Sequence, residues 1–342
     1  MIYVGMTIRT AAGLWLALLV SVACASVDSP PAPSSAPQLG GPLPGPLPLF
    51  PSDNWWNQDI SGAPLDSSSA AYIAFIGGTA KWVHPEFSAV AYGMPYIVVP
   101  ATQPKRTVIF RYDSESDQVG YPIPDEAITQ SGWIEGIVPG NQNLRGQIDR
   151  HMLIVDKDSK HLYELYAVFW DGSKWLADSG ALFDMKTNNR RPEGWTSADA
   201  AGLAILPGLI RYDEAYGSDE IRHAFRVTVR RTNNYVWPAS HGTGPDPGAL
   251  PMGARLRLKA STDISRFPAE MQRIFRAMKA YGLIVADNGS DMFVTGTNDS
   301  RWNNDIVNPA FHAVTAADFE VVQLGWRGTS SSTATGSPHG GQ

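Results

Sequence analysis

Cysteine is almost missing from this chain. Its 342 residues hold one, Cys24, near the N-terminus, so the folded part is expected to use no disulfides, no thiolate metal site and no cysteine nucleophile. Basic charge is short as well: 27 Lys and Arg stand against 33 Asp and Glu, a formal net charge of -6. That balance lacks the positive field phosphate recognition needs, and no nucleic-acid partner is expected. The N-terminal apolar run, residues 11–23, is too short to span a bilayer. Several catalytic signatures are absent: no Gly-x-Ser-x-Gly, no His-Glu-x-x-His, and no Gly-rich phosphate loop ending in Lys-Ser/Thr. An α/β-hydrolase elbow, a zinc helix and a P-loop are therefore not supported.

What the chain has is turn formers and aromatics, with 32 Gly, 26 Pro and 11 Trp, a composition unlike a helical bundle. Arg9 ahead of the apolar run has the layout of a secretory signal over residues 1–25. Cleavage after Ala25 and cleavage before Cys24, which would leave Cys24 as a lipid-bearing first residue, both fit. Ser21-Val22-Ala23-Cys24 resembles a bacterial lipoprotein signal, with Ser21 where Leu is usual. Residues 26–51 form a Pro/Gly/Ser-rich tract expected to act as a semi-extended tether. Residues 52–327 are expected to make one globular domain, and 328–342, rich in Ser, Thr and Gly, a disordered tail.

The domain reads mainly as β. Short β-branched or aromatic stretches at 96–99, 107–112, 151–155, 161–170, 221–231 and 255–260 are bounded by turn residues. Polar turns at 156–160 and around Asp171-Gly172 suggest successive hairpins, hence an antiparallel β-sandwich or barrel. One amphipathic helix is expected over about 268–281, with Pro268 in the first turn, apolar Met271, Ile274, Phe275, Met278 and Tyr281 on one face, and Gly282 after its end. A strand at 283–286 follows, with Asp287 at its end.

The organising stretch is 190–214, RRPEGWTSADAAGLAILPGLIRYDE. Gly202, Pro207 and Gly208 break its apolar middle, so a short helix capped by Thr196 or Ser197, then a buried connection, is expected. Strand alternation places Asp149 and His151 on one face, a carboxylate beside an imidazole. It also aligns Arg222, Arg226 and Arg230 on one strand and Arg255, Arg257 and Lys259 on another, while His223 falls on an apolar face. Glu135, Asp149, Asp199, Asp213, Glu214 and Asp287 lie beside strand ends or in the crowded stretch. Asp149, His151 and Asp213 are the catalytic candidates; Asp199, Arg211, Glu214, Arg226, Trp237, His241 and Arg257 are the substrate-binding candidates. No cofactor is expected. Asp287 and Asp291, in Asp-Asn-Gly-Ser-Asp, carry the oxygen ligands of a calcium turn without its full spacing.

The segments DRHMLIVD, LYELY, VWPASH, PMGARLRLKAS and YGLIVADNGSD, with the 190–214 stretch, together resemble an uncharacterised family of secreted bacterial proteins and lipoproteins. That resemblance implies export and one domain, and carries no activity. Aromatics to stack on sugar rings, Arg and carboxylate groups for hydroxyls, an exported single domain and a spacer point to extracellular polysaccharide as the partner, with membrane contact only through a lipid on Cys24. The reading that follows is a glycoside hydrolase using Asp and Glu. Its alternatives are a polysaccharide lyase with a His or Tyr base, and a non-catalytic carbohydrate- or protein-binding module of the cell envelope.

Overall fold

The computed structural model describes residues 36–88 and 92–328. The signal region, Cys24, most of the proposed tail and the first part of the tether lie outside the described residues. Their strands are β1 Gln38–Leu39, β2 His84–Glu86, β3 Tyr96–Val99, β4 Val108–Phe110, β5 Met152–Asp156, β6 His161–Tyr166, β7 Phe169–Trp170, β8 Trp175–Ala177, β9 Ser179–Asp184, β10 Phe225–Val229, β11 Arg255–Leu258, β12 Leu283–Asn288, β13 Phe293–Thr295 and β14 Phe319–Val321. The helices are α1 Ser69–Ile76, α2 Glu126–Thr129, α3 Tyr212–Ala215, α4 Ala269–Ala280 and α5 Asn304–His312. The domain is thus strand-rich with few helices, as its composition suggests.

Three sheets carry these strands, in the orders β1-β3-β5-β6-β9, β14-β11-β12-β10-β13-β2 and β4-β8-β7. The hairpins read from the polar turns are present, with β5 antiparallel to β6 and β7 antiparallel to β8. The purely antiparallel expectation is corrected: β3 with β5, β10 with β12, β13 with β2 and β4 with β8 run parallel. Each parallel pair joins strands far apart in the chain, and local turn signals carry no information about such pairings. The two basic strands are not neighbours either, because β12 lies between β10 and β11.

Helix α4 forms where its spacing places it. Met271, Ile274, Phe275 and Met278 are fully buried against the six-stranded sheet, and Gly282 takes a positive φ of 77° just beyond the end, a conformation that costs a glycine little. The part of the expected tether from residue 36 to 51 is corrected to folded chain. Strand β1 pairs with β3, Leu49 is buried with that sheet, and the Asn57 amide donates to the carbonyls of Leu49, Phe50 and Pro51. Scattered Leu and Phe give this tract enough apolar surface to dock.

Residues 190–214 sit between the two larger sheets, with no short helix at 196–199. Gly202 adopts φ 72°, and the run is turns with a single 3₁₀ turn at Leu206–Gly208, ahead of α3 at Tyr212. Ala198, Ala204, Ile205, Leu206 and Leu209 pack with Val98, Leu153, Val155 and Phe183 of the five-stranded sheet. Ala201 and Leu203 pack with Ala224, Ile284 and Ala286 of the six-stranded one. The local hydroxyl signal does form, as a turn: the Asp199 N–H donates to Ser197 Oγ at 2.9 Å.

Candidate functional site

Four strands of the six-stranded sheet bring polar groups to one face. Thr295 of β13 pairs with Glu86 of β2, and Thr295 Oγ1 donates to Glu86 Oε2 at 3.2 Å. Arg226 of β10 donates from Nη1 to Thr295 Oγ1 at 2.8 Å. Asp287 reaches the same guanidinium through an irregularity in β12: Val227 pairs with Val285 but Thr228 with Asp287, so Ala286 is an extra residue. Simple alternation would put Asp287 with the apolar Leu283 and Val285. The bulge re-aims it, and Arg226 Nη2 meets Asp287 Oδ2 at 3.1 Å.

From the other side comes the start of β5. Arg150 holds φ 58°, an uncommon backbone for a residue with a side chain, so Asp149, Arg150 and His151 do not alternate as an extended strand. The buried Arg150 side chain donates to the carbonyls of Glu135, Val138 and Pro139, clamping the loop that carries Glu135. That loop closes a reciprocal pair. Glu135 N–H donates to the His151 carbonyl at 2.9 Å, while His151 N–H and Nδ1 both meet Glu135 Oε2, at 3.1 and 2.5 Å.

The interlayer stretch links the two halves at adjacent residues. The Ala198 carbonyl lies 3.0 Å from His151 Nε2, and the fully buried Asp199 carboxylate takes Arg226 Nε and Nη2 at 2.7 and 2.8 Å, a bidentate contact that fixes the guanidinium plane. Glu164 of β6 anchors the same stretch further on, accepting the N–H groups of Ile205 and Leu206.

This arrangement separates the acidities of the carboxyls. Burial alone would lower the His151 imidazole, but the Glu135 charge overrides it and raises the group to about 9. With oxygen acceptors on both ring nitrogens, His151 is an imidazolium donating twice. Burial works against ionisation of Glu135, yet the His151 charge and hydrogen bonds hold it below the usual carboxylate range. Burial raises Glu86, against the pull of Arg226. Burial and then the Asp199 charge push Asp287 up to about 7, with Arg226 opposing. One anionic carboxylate and one that keeps its proton near neutrality therefore converge on the same neighbourhood. Glu135 and Asp287 are each about a fifth exposed, at 22% and 23% of the side chain.

The residues singled out from sequence are only partly brought together. Asp199, Arg226 and His151 meet in this cluster, and Asp149 lies exposed at its edge, acting on His151 through its charge. His151 is buried, with both ring nitrogens hydrogen-bonded, Nδ1 to Glu135 and Nε2 to the Ala198 carbonyl. Asp213 lies in α3, not in a strand, and pairs with Arg211 at 3.4 Å. Among the described residues no hydrogen bond or ion pair joins it to Asp149 or His151. It lines a separate cavity of about 450 Å³ with Glu214, Asp219 and Arg222. Glu214 pairs with Arg211 at 2.6 Å and His223 at 3.0 Å. Arg257 is used on Glu320 and the carbonyls of Ile60, Ser61 and Ala63, so it ties down a loop. Trp237 packs edge-on to Trp55 with the guanidinium of Arg255 near its face. His241 Nδ1 lies 2.7 Å from the Ala200 carbonyl, one residue from Asp199. Asp291 is taken by Arg230 at 2.8 Å, and Asp287 by Arg226, so the suggested calcium turn has its two acids on different arginines.

Glu86 and Thr295 were not legible beforehand. Glu86 follows His84-Pro85 in a three-residue edge strand with no alternation to read. Glu135 and Asp287 were visible only as acids beside strand ends. The class these features define is a strand-rich domain with a buried Arg–carboxylate and His–carboxylate cluster between two mixed sheets. No family model matches the chain, and no curated protein or solved structure is similar to it.

Proposed function

We propose that this chain is an exported glycan-acting hydrolase, with Asp287 as the acid and Glu135 as the ionised carboxylate. The observation that carries the reading is the convergence of carboxyls held at unlike acidities, Asp287 at about 7 and Glu135 below the usual range, around cations that cannot leave. Glycosidic cleavage requires that pairing. Protonated Asp287 donates its proton to the leaving oxygen as the glycosidic bond breaks. Glu135 either deprotonates the attacking water or attacks the anomeric carbon. Arg226, gripped by Asp199, and Glu86 surround the reacting atoms, while His151 holds Glu135 in its anionic form.

A lyase carries less support. His151 has both ring nitrogens occupied, and burial pushes Tyr166, the tyrosine beside it at 5.4 Å between ring centres, up to about 12. Neither group is a ready base. The remaining parts of the reading are a sandwich-like stacking of the two large sheets over the 190–214 stretch, a signal over 1–25, a lipid on Cys24 and an envelope location facing outside the cytoplasm. Among the described residues no helix is long and apolar enough to cross a membrane.

The test is reducing-end release from a panel of neutral polysaccharides by wild type, Asp287→Asn and Glu135→Gln. Turnover that falls by about 10²–10⁴ in each variant, the usual worth of a positioned acid or base, fits the assignment. Turnover retained in both would overturn it.

A further inference from the structure

At the carboxyl ends of the parallel pair β10 and β12, a groove of about 260 Å³ opens between residues 230–232, residues 243–246 and Asn288. We propose that this groove is a subsite for one uncharged sugar unit, placed beside the acid cluster; the proposal rests on the glycan reading above and extends it.

Position comes first. The loops that follow β10 and β12, at their shared carboxyl end, wall the crevice. Asn288, on its wall, follows Asp287 directly in β12 and donates its backbone N–H to Asp287 Oδ1 at 2.7 Å, which ties the groove to the acid through one residue of strand. The opposite wall is tied to the same centre. His241 seats its loop on the Ala200 carbonyl, and two residues later Thr243 Oγ1 donates to Asn288 Oδ1 at 2.5 Å.

The lining selects the ligand class. Thr232 and Thr243 hydroxyls lie 2.9 Å apart, and both reach Asn288 Oδ1. The Asn288 amide donates to the Val229 carbonyl at 3.3 Å, so the hydroxyl oxygens of Thr232 and Thr243 are left as acceptors for the O–H groups of a polyol. The two arginines are compensated, Arg230 by Asp291 at 2.8 Å and Arg231 by Asp246 at 3.4 Å, so the groove presents no net charge to attract an anion. Arg231 is further steadied by the Phe75 ring, 4.4 Å from its guanidinium. The volume falls just under the ~300 Å³ at which small-molecule clefts begin, room for a single ring and not for a length of polymer.

The experiment uses the full chain carrying Asp287→Asn, so that ligand survives, and titrates it calorimetrically with neutral hexasaccharides: a β-1,4-glucan, a β-1,4-xylan and an α-1,4-glucan. Thr243→Trp fills the groove from an exposed position, and Thr243→Val removes only the hydroxyl; melting curves confirm that both fold. At least one hexasaccharide is expected to bind, with affinity about tenfold weaker for Thr243→Trp, the scale of losing one or two neutral hydrogen bonds. Equal affinity in Thr243→Trp, or no binding of any hexasaccharide, overturns the subsite. The hydrolase reading is judged separately by turnover. Binding that depends on Thr243 alongside undiminished turnover in Asp287→Asn keeps the groove and removes the acid, while normal turnover and affinity in Thr243→Trp does the reverse.

Discussion

At the scale of single residues, the chemistry rests on which groups are forced to stay charged. His151 and Arg226 are both buried cations, and each is tolerated only because carboxylates meet it with directed hydrogen bonds. Removing one partner strands the other. Glu135→Gln is therefore expected to lower the His151 pKa from about 9 toward or below its ordinary 6.5, which a histidine proton titration by NMR would read directly. Activity should report Asp287 in its own way. If Asp287 must carry a proton to act, turnover falls as pH rises through about 7, and Asp287→Asn removes that limb along with most of the rate. A rate flat between pH 6 and 8.5 in wild type would contradict this assignment.

At the scale of elements, the decisive features are interruptions in regular structure. The extra Ala286 in β12 turns Asp287 onto the Arg226 face, and the left-handed Arg150 turns His151 inward at the start of β5. The interlayer stretch depends on Gly202 in the same sense. A Cβ there would lie 2.7 Å from the Trp195 carbonyl oxygen and closer still to Ser240 Oγ, at φ +72°. Gly202→Ala should cost roughly 1–3 kcal/mol of folding stability, measured as a lower urea midpoint; an unchanged midpoint would mean the stretch can re-fold around the methyl group. Helix α4 is a contrasting case, a regular element whose apolar face packs on the six-stranded sheet. Phe275→Ala should cost about 3–5 kcal/mol while leaving the pH profile of any activity in place.

Across the whole molecule, folding is tied to proton uptake. His151 binds its proton more tightly when folded, up to about 9 from 6.5, so the stability it contributes is fully present below pH 6.5 and is lost as pH rises through 9. Glu164 and Asp287, both raised to about 7, act in the same direction at lower pH, each favouring the folded state most where it keeps its proton. Wild type should thus lose stability steadily between pH 6.5 and 9 in urea titrations, and His151→Gln should show a shallower fall. Stability that rises across that window would mean that the buried His151–Glu135 pair is not charged in the native state.

Much of this protein could be read from the chain alone. Periodicity sufficed for α4 because its apolar face and its ends are defined within the stretch from Pro268 to Gly282, and polar turns sufficed for the β5–β6 and β7–β8 hairpins because their partners are neighbours in sequence. The importance of the 190–214 stretch was legible in its broken apolar run, and so was Arg226 as one of a row of cations. Tertiary structure decided the rest. Parallel pairing of β10 with β12, the meeting of Asp199 with Arg226, and the approach of Glu135 to His151 and of Glu86 to Thr295 join segments from 16 to 209 positions apart. Asp213, credible as a strand acid, went to a separate cavity for the same reason: which carboxylates share a neighbourhood depends on how sheets stack and where a bulge rotates a side chain, and neither leaves a local mark in sequence.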